Sequence, residues 1–296
     1  MQTECLAPAK VNLFLHVGPL GDDGYHPLAS LVTFADVGDV VRVWPSHEPG
    51  FAIEGPFADE LAAFPASDNL VVRARDAILA ICEGDPPALR LVLDKRLPIA
   101  SGLGGGSADA AAALALIACQ LGWGGEQAPA LKEMAAALGS DVPMCLAGTP
   151  SLAEGRGDVL SFPTLFPDLD AVLVNPMQPS PTGAVYRAFD AAGATGGADV
   201  PEWTEQMATP QEMARFLSGC RNDLEAPAIS LQPAIGEVLA ALNARPETLF
   251  ARMSGSGATC FALCANERDR RDLAFAISAF HPTWWVQSCR LAGTYP

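Results

Sequence analysis

Positive charge is scarce in this chain. Its 296 residues carry 18 lysines and arginines against 34 aspartates and glutamates, a formal charge of −16. Sequence-independent nucleic-acid binding needs basic side chains to neutralise phosphates, so this balance speaks against it, and equally against a polybasic membrane anchor. An anionic small molecule stays open, since a few local donors hold a phosphate on an acidic protein. Long apolar runs are missing too. The longest, residues 110–119, has ten residues, where a bilayer-crossing helix needs roughly 20. At the N-terminus an acid, Glu4, precedes the first basic residue, Lys10, unlike a cleavable leader. None of the eight cysteines forms a CxxC pair, and no histidine adjoins Cys260 and Cys264 to complete a zinc site. The expectation is a soluble, cytoplasmic protein with buried free thiols, without nucleic-acid or membrane partners.

What is present is a globular composition, 50% hydrophobic and 18% charged, in a chain long enough for two cores. Residues 11–17 alternate apolar and polar, the period of a half-buried strand, and residues 31–34, 39–44 and 89–93 read as further strands. Residues 69–81 have helical spacing with Asp68 as N-cap. Residues 107–121 form an alanine-rich helix, with Ser107 or a neighbour as cap and Asp109 in the first turn, where the helix dipole favours an anion. Helices are further expected at 129–138, 183–191, 211–217, 233–242 and 267–280. Strands are expected at 171–174, 251–253, 260–263 and 284–288, with a loop at 195–210. The class is α+β, with a domain boundary near residue 150: 1–150 and 151–296.

The sharpest local feature is Pro98-Ile99-Ala100-Ser101-Gly102-Leu103-Gly104-Gly105-Gly106-Ser107-Ala108, a glycine-rich turn feeding a long helix. Glycines let backbone N–H groups approach a ligand, and a helix start adds unpaired donors and a positive dipole end, so the segment suits a phosphate. It is not a Walker A loop, because no Gly-Lys-Ser/Thr follows. It is not a complete GxGxxG fingerprint either, because Ser107 stands at the third glycine. A second glycine turn occupies 254–257, either a hairpin or a flap over phosphates. No carboxylate pair shows magnesium spacing, so the protein ligands of any metal are left unknown.

Pro-x-x-x-Gly-Leu-Gly-Gly-Gly-Ser-Ala resembles the phosphate loop of the GHMP kinases. The likeness continues in order along the chain, in Ala7-Pro8-Ala9-Lys10-Val11-Asn12-Leu13, Asp23-Gly24-Tyr25-His26, Gly139-Ser140-Asp141-Val142-Pro143, Arg221-Asn222-Asp223-Leu224-Glu225 and Met253-Ser254-Gly255-Ser256-Gly257. The resemblance implies a two-domain kinase with its active site in the interdomain cleft, a phosphate loop of residues 98–108 for ATP, and Mg²⁺ as cofactor. It further implies phosphorylation of a hydroxyl on a cytidyl diphosphate alcohol, by a monomer or weak homodimer. Lys10 and Asp141 become the catalytic pair: a carboxylate orients the attacking hydroxyl, and an ammonium keeps it ionised and screens the transferring charge. His26 binds the cytosine by hydrogen bonds, and Tyr25 and Tyr186 stack on it. Asn12, expected on the opposite face of the strand from Lys10, is a polar substrate contact. Asn69-Leu70-Val71 borders the adenine, and Ser107 lies near Mg²⁺, with Asp109 as an alternative ligand. His16, His47 and His281 are expected to be isolated and non-catalytic. The chain departs from the family at Pro19-Leu20-Gly21-Asp22, where a basic residue is usual, at Ser30, often Thr, and at Pro181, usually small. Rival readings are a homoserine- or mevalonate-type kinase and a catalytically silent nucleotide-binding regulator.

Overall fold

The computed structural model describes residues 3–82, 85–193, 197–202 and 207–292. The expected loop at 195–210 lies partly outside them. By packing, the chain forms two units: Met1–Ala9, Val37–Ile99 and Gly104–Ala147 in one, and Lys10–Asp36, Ala100–Leu103 and Gly148–Pro296 in the other. One change of unit falls at 147/148. Residues 10–36 and 100–103 nevertheless pack with the later part of the chain, because two long strands each give residues to both units.

Those strands are β1 (Glu4–Val17) and β2 (Leu28–Pro45). The two strands expected at 31–34 and 39–44 are one. Gly38 sits in the middle of β2 because a Cβ there would come 2.1 Å from the Ala7 carbonyl oxygen, so only glycine permits the close approach of β1. The first unit adds β3 (Gly50–Glu54), α1 (Ala58–Ala62), α2 (Leu70–Leu79), β4 (Leu89–Asp94), α3 (Gly105–Gln120), α4 (Ala128–Leu138) and α5 (Val142–Ala147). The C-terminal half of β2 pairs antiparallel with β4, Val41 opposite Leu93, and β3 pairs parallel with β4. Asn69, not Asp68, caps α2: its side chain accepts the Val71 amide hydrogen, while Asp68 ends a preceding 3-10 turn. Helix α3 is buried nearly all round, from Ala108 through Ala118 except Ala115. Its alanines favour helix and are small enough for α2, α4 and α5 to pack closely against it.

The second unit contains β5 (Ser151–Gly155), β6 (Val159–Ser161), β7 (Leu169–Asn175), α6 (Thr182–Ala191), α7 (Pro210–Ser218), α8 (Glu225–Leu231), α9 (Ala234–Asn243), β8 (Thr248–Met253), β9 (Cys260–Cys264), α10 (Glu267–Phe280) and β10 (Trp285–Ala292). The N-terminal half of β2 pairs with β5 and, at Ala35 and Phe34, with β10; the sheet continues antiparallel through β7, β9 and β8. Strand β10 runs four residues beyond its expected end, because Arg290 and Leu291 continue the pairing with β7. Val172, Val174 and Cys260 from the sheet meet Phe189, Ile235, Val238, Leu273 and Ile277 from the helices in one core, each large side chain contributing roughly 1.5–3 kcal/mol by burial. All eight cysteines are free; Cys119 is exposed and Cys5 and Cys82 are partly so. Among the described residues no helix is long and apolar enough to cross a membrane.

Candidate active site

The glycine-rich loop changes unit along its length. Pro98 and Ile99 belong to the first, residues 100–103 to the second, and Gly104 onward to the first. Ala100, Gly102 and Gly104 have φ of 50°, 78° and 62°. Gly102 is required on two counts, its left-handed backbone and the space a Cβ would take, 2.5 Å from the Ser254 carbonyl oxygen. That closeness reflects docking of the second glycine turn on the loop. Thr259 N donates to Ser101 O at 3.0 Å, and Ser254 Oγ donates to Gly102 O at 3.1 Å. Gly104, without a side-chain cap, starts α3, so Ser107 is the third helical residue and not its cap. The first-turn amides have no helical acceptors and, with the dipole, favour an anion.

Lys10 is fastened to this loop through its backbone amide, which donates to Leu103 O at 2.8 Å. The side chain is buried, and Nζ donates to Asn12 Oδ1 at 3.0 Å. Lys10 and Asn12 therefore share a face, contrary to expectation, since residues two apart on a strand point the same way. Asn12 Nδ2 donates to Ser30 Oγ at 2.7 Å, and Ser30 donates to Phe14 O at 2.6 Å. The Asn12 amide donates to Ser254 Oγ at 3.1 Å. One chain of polar groups thus joins Lys10, Asn12 and Ser30 to both glycine turns. Asn222 completes the frame, donating from Nδ2 to Met253 O at 2.8 Å and Gly255 O at 2.9 Å. Asp141 lies in the first unit, immediately before α5, with its carbonyl accepting the Cys145 amide hydrogen at 3.1 Å.

A cluster absent from the sequence reading stands in the first unit. Lys95 Nζ is bonded to Asp39 and lies 3.0 Å from Asp109 Oδ2, all three buried. Asp39 Oδ1 also accepts the amides of Arg96 at 2.6 Å and Leu97 at 2.8 Å. Lys95 precedes the glycine-rich loop and Asp109 follows it on α3, so the cluster ties the two limbs together. Burial works against the Lys95 ammonium, but Asp109 and Asp39 outweigh it and raise its pKa. Asp109 is pushed up to about 8, chiefly by burial, with Lys95 opposing the rise. It stands in the second turn of α3, not the first, and faces Lys95, so it is a buried hydrogen-bonding partner of that lysine. Asn69, expected at the adenine, spends its side-chain oxygen on the α2 cap.

The residues expected at a nucleobase lie in the second unit. His26 Nδ1 donates to Gly18 O at 2.9 Å, and Nε2 lies 3.3 Å from Asp190 Oδ1. Its ring centroid is 5.2 Å from that of Tyr186 and 5.7 Å from Phe189, both on α6. Thr182, at the start of the same helix, meets Ser256 Oγ at 2.8 Å, so the segment at Pro181 is bonded to the second glycine turn. Tyr25 sits on the exposed turn that Gly24 permits, against Arg156 of the β5–β6 hairpin. His16 is buried and far from isolated: Nδ1 donates to Asp199 O at 2.7 Å, and Nε2 accepts the Arg221 amide hydrogen at 3.2 Å, a structural pin.

Two family profiles match this chain, "GHMP kinases N terminal domain" over residues 69–149 and "GHMP kinases C terminal" over residues 206–283. A mevalonate kinase crystal structure shares the fold, with a TM-score of 0.67 at 10% identity over 98% of both chains. Fold and profiles define the class, the GHMP kinases. The 4-diphosphocytidyl-2-C-methyl-D-erythritol kinase of Caulobacter vibrioides is 51% identical over 99% of this chain and 100% of its own. A crystal structure of 4-(cytidine 5'-diphospho)-2C-methyl-D-erythritol kinase superposes with a TM-score of 0.77 at 35% identity, covering 98% of this chain and 100% of the other. The chain belongs to the 4-diphosphocytidyl-2-C-methyl-D-erythritol kinase family.

Proposed function

We propose that this chain transfers the γ-phosphoryl group of ATP to a hydroxyl of 4-diphosphocytidyl-2-C-methyl-D-erythritol, giving the 2-phosphate in the non-mevalonate route to isoprenoid precursors. The observation that carries the reading to the reacting groups is the hydrogen bond from the Lys10 amide to Leu103 O, which fastens a buried lysine to the phosphate loop. In this reading the amides of residues 103–107 cradle the phosphates of ATP. Asp141 orients the acceptor hydroxyl and takes its proton as the new O–P bond forms and the bond from the γ-phosphorus to ADP breaks. Lys10, held by Asn12, stabilises negative charge on the transferring group. His26, Tyr25 and Tyr186 hold the cytosine. Magnesium, when bound, neutralises phosphate charge; oxygen donors suit it, and the Ser107 hydroxyl is the contact this chain offers, the rest of its shell coming from phosphates and water. The reaction takes place in the cytoplasm, on a monomer or weak homodimer.

An ADP-release assay over cytidyl alcohol, homoserine and mevalonate tests this reading. Turnover is expected with the cytidyl alcohol alone. Asp141→Asn and Lys10→Ala should each abolish turnover while ATP still binds; near-normal kcat in either variant would remove that residue from the chemistry.

A further inference from the structure

Outside the groups assigned to phosphoryl transfer, the second unit holds an open hollow of about 450 Å³ whose lining includes Asp22, Asp23, Tyr25, Pro27, Gly155 and Arg156. That volume lies within the range of small-molecule sites. Arg156 is the one cation in the lining, and its contacts form a closed circuit. The guanidinium carbon lies 4.1 Å from the Tyr25 ring centroid, over its face. Nη2 donates to Asp23 Oδ2 at 2.6 Å, and Asp23 Oδ1 accepts the Tyr25 amide hydrogen at 3.0 Å. One arginine thus grips both the ring of Tyr25 and, through Asp23, its backbone. The grip is set by strand register: β5 pairs with β2 so that Gly155 stands opposite Leu28, which brings the hairpin turn at Arg156 beside the 23–25 turn.

We propose that Arg156 is a positioning residue for the pyrimidine end of the substrate, holding Tyr25 with one ring face against the guanidinium and the other presented to the base. This rests on the reading of Tyr25 as a base-stacking residue. Tyr25 is 55% exposed, and an exposed ring with free rotamers loses entropy when a ligand orders it. A ring already held loses less, and the gain appears as affinity. The guanidinium suits the task because it is planar, stacks on an aromatic face and still donates edge-on to a carboxylate.

The test measures steady-state kinetics of the wild type, Arg156→Ala, Arg156→Lys, Tyr25→Ala and the Arg156→Ala/Tyr25→Ala double variant. Arg156→Ala should raise KM for the cytidyl alcohol about threefold to tenfold, with kcat and the KM for ATP within about twofold. Arg156→Lys should recover part of the loss. In the Tyr25→Ala background, adding Arg156→Ala should cost almost nothing, because a residue acting through Tyr25 has nothing left to position. An unmoved KM, a loss confined to kcat, or additivity of the two substitutions overturns the proposal. A wild type inactive on the cytidyl alcohol overturns the proposed function as well; an active wild type with an unmoved Arg156→Ala KM overturns the Arg156 role alone.

Discussion

Two cation–carboxylate clusters with similar ingredients do different work in this molecule. Lys95, with Asp39 and Asp109, is sealed in the first unit; Arg156, with Asp23, stands at the surface of the second, about half exposed. Removing one partner from a buried cluster leaves a charge with neither water nor counter-charge, whereas an exposed pair falls back on solvent. The buried cluster therefore serves geometry: it joins Leu97 and the residues before the glycine-rich loop to α3 behind it. The exposed cluster contributes little to folding, and its worth lies in what it holds still, the ring of Tyr25. Burial, more than the identity of the charges, separates a structural ion pair from one suited to recognition.

The largest effect expected from this contrast is on stability. Lys95→Met should lower the unfolding free energy by about 3–5 kcal/mol, read from urea denaturation; a loss below about 1 kcal/mol would put the two clusters on the same footing.

Next comes a pH dependence confined to the buried cluster. Asp109 binds its proton more tightly folded, at about 8, than its ordinary value of 3.8, so the stability it contributes is full below about 4 and is lost as pH rises toward 8 and just beyond. The raised Lys95 pKa acts in the same sense, but only near and above its ordinary 10.5. The melting temperature should fall between pH 6 and pH 9, and Asp109→Asn, which keeps the neutral form, should flatten that slope. An equal slope in the variant would remove Asp109 as its source.

The smallest effect belongs to the exposed cluster. The Asp23 carboxyl is held below its ordinary pKa by the Tyr25 amide first and Arg156 second, yet Asp23→Asn should shift Tm by no more than about 2 °C. A large drop in Tm would give the 23–25 turn a folding role and weaken the contrast.

Much of the site was legible beforehand because backbone geometry there depends on residue type. A turn with left-handed residues at 102 and 104 that opens a helix is written in glycine, and the alanine run after it can only be a closely packed helix. Motifs point to Lys10, Asn12, His26 and Tyr186, and the structure joins Lys10 to Asn12 and His26 to Tyr186. What escaped was pairing across long separations. Nothing near Lys95 announces Asp39, 56 residues away, and nothing near Tyr25 announces Arg156, whose partner Asp23 is 133 residues distant in sequence. Asp109 stands in the second turn because α3 starts at Gly105, two residues before its expected start, and there it meets Lys95, which only the fold brings near. The side of Asn12 needs no tertiary contact: the strand period alone puts it on the face of Lys10.

The sequence by itself determined the elements that local chemistry controls: an alanine-rich helix after the glycine-rich loop, expected at 107–121 and formed at Gly105–Gln120, the glycine turns at 98–106 and 254–257, the strands of alternating or continuous apolar residues, and the family motifs in their order. Tertiary structure alone decided which charges meet, that residues 10–36 and 100–103 pack with the later chain, and that one arginine grips the exposed tyrosine. The physical reason is range. Turn and helix preferences act over a few residues, whereas an ion pair or a strand register is fixed only when segments far apart in the chain are brought together by a common core.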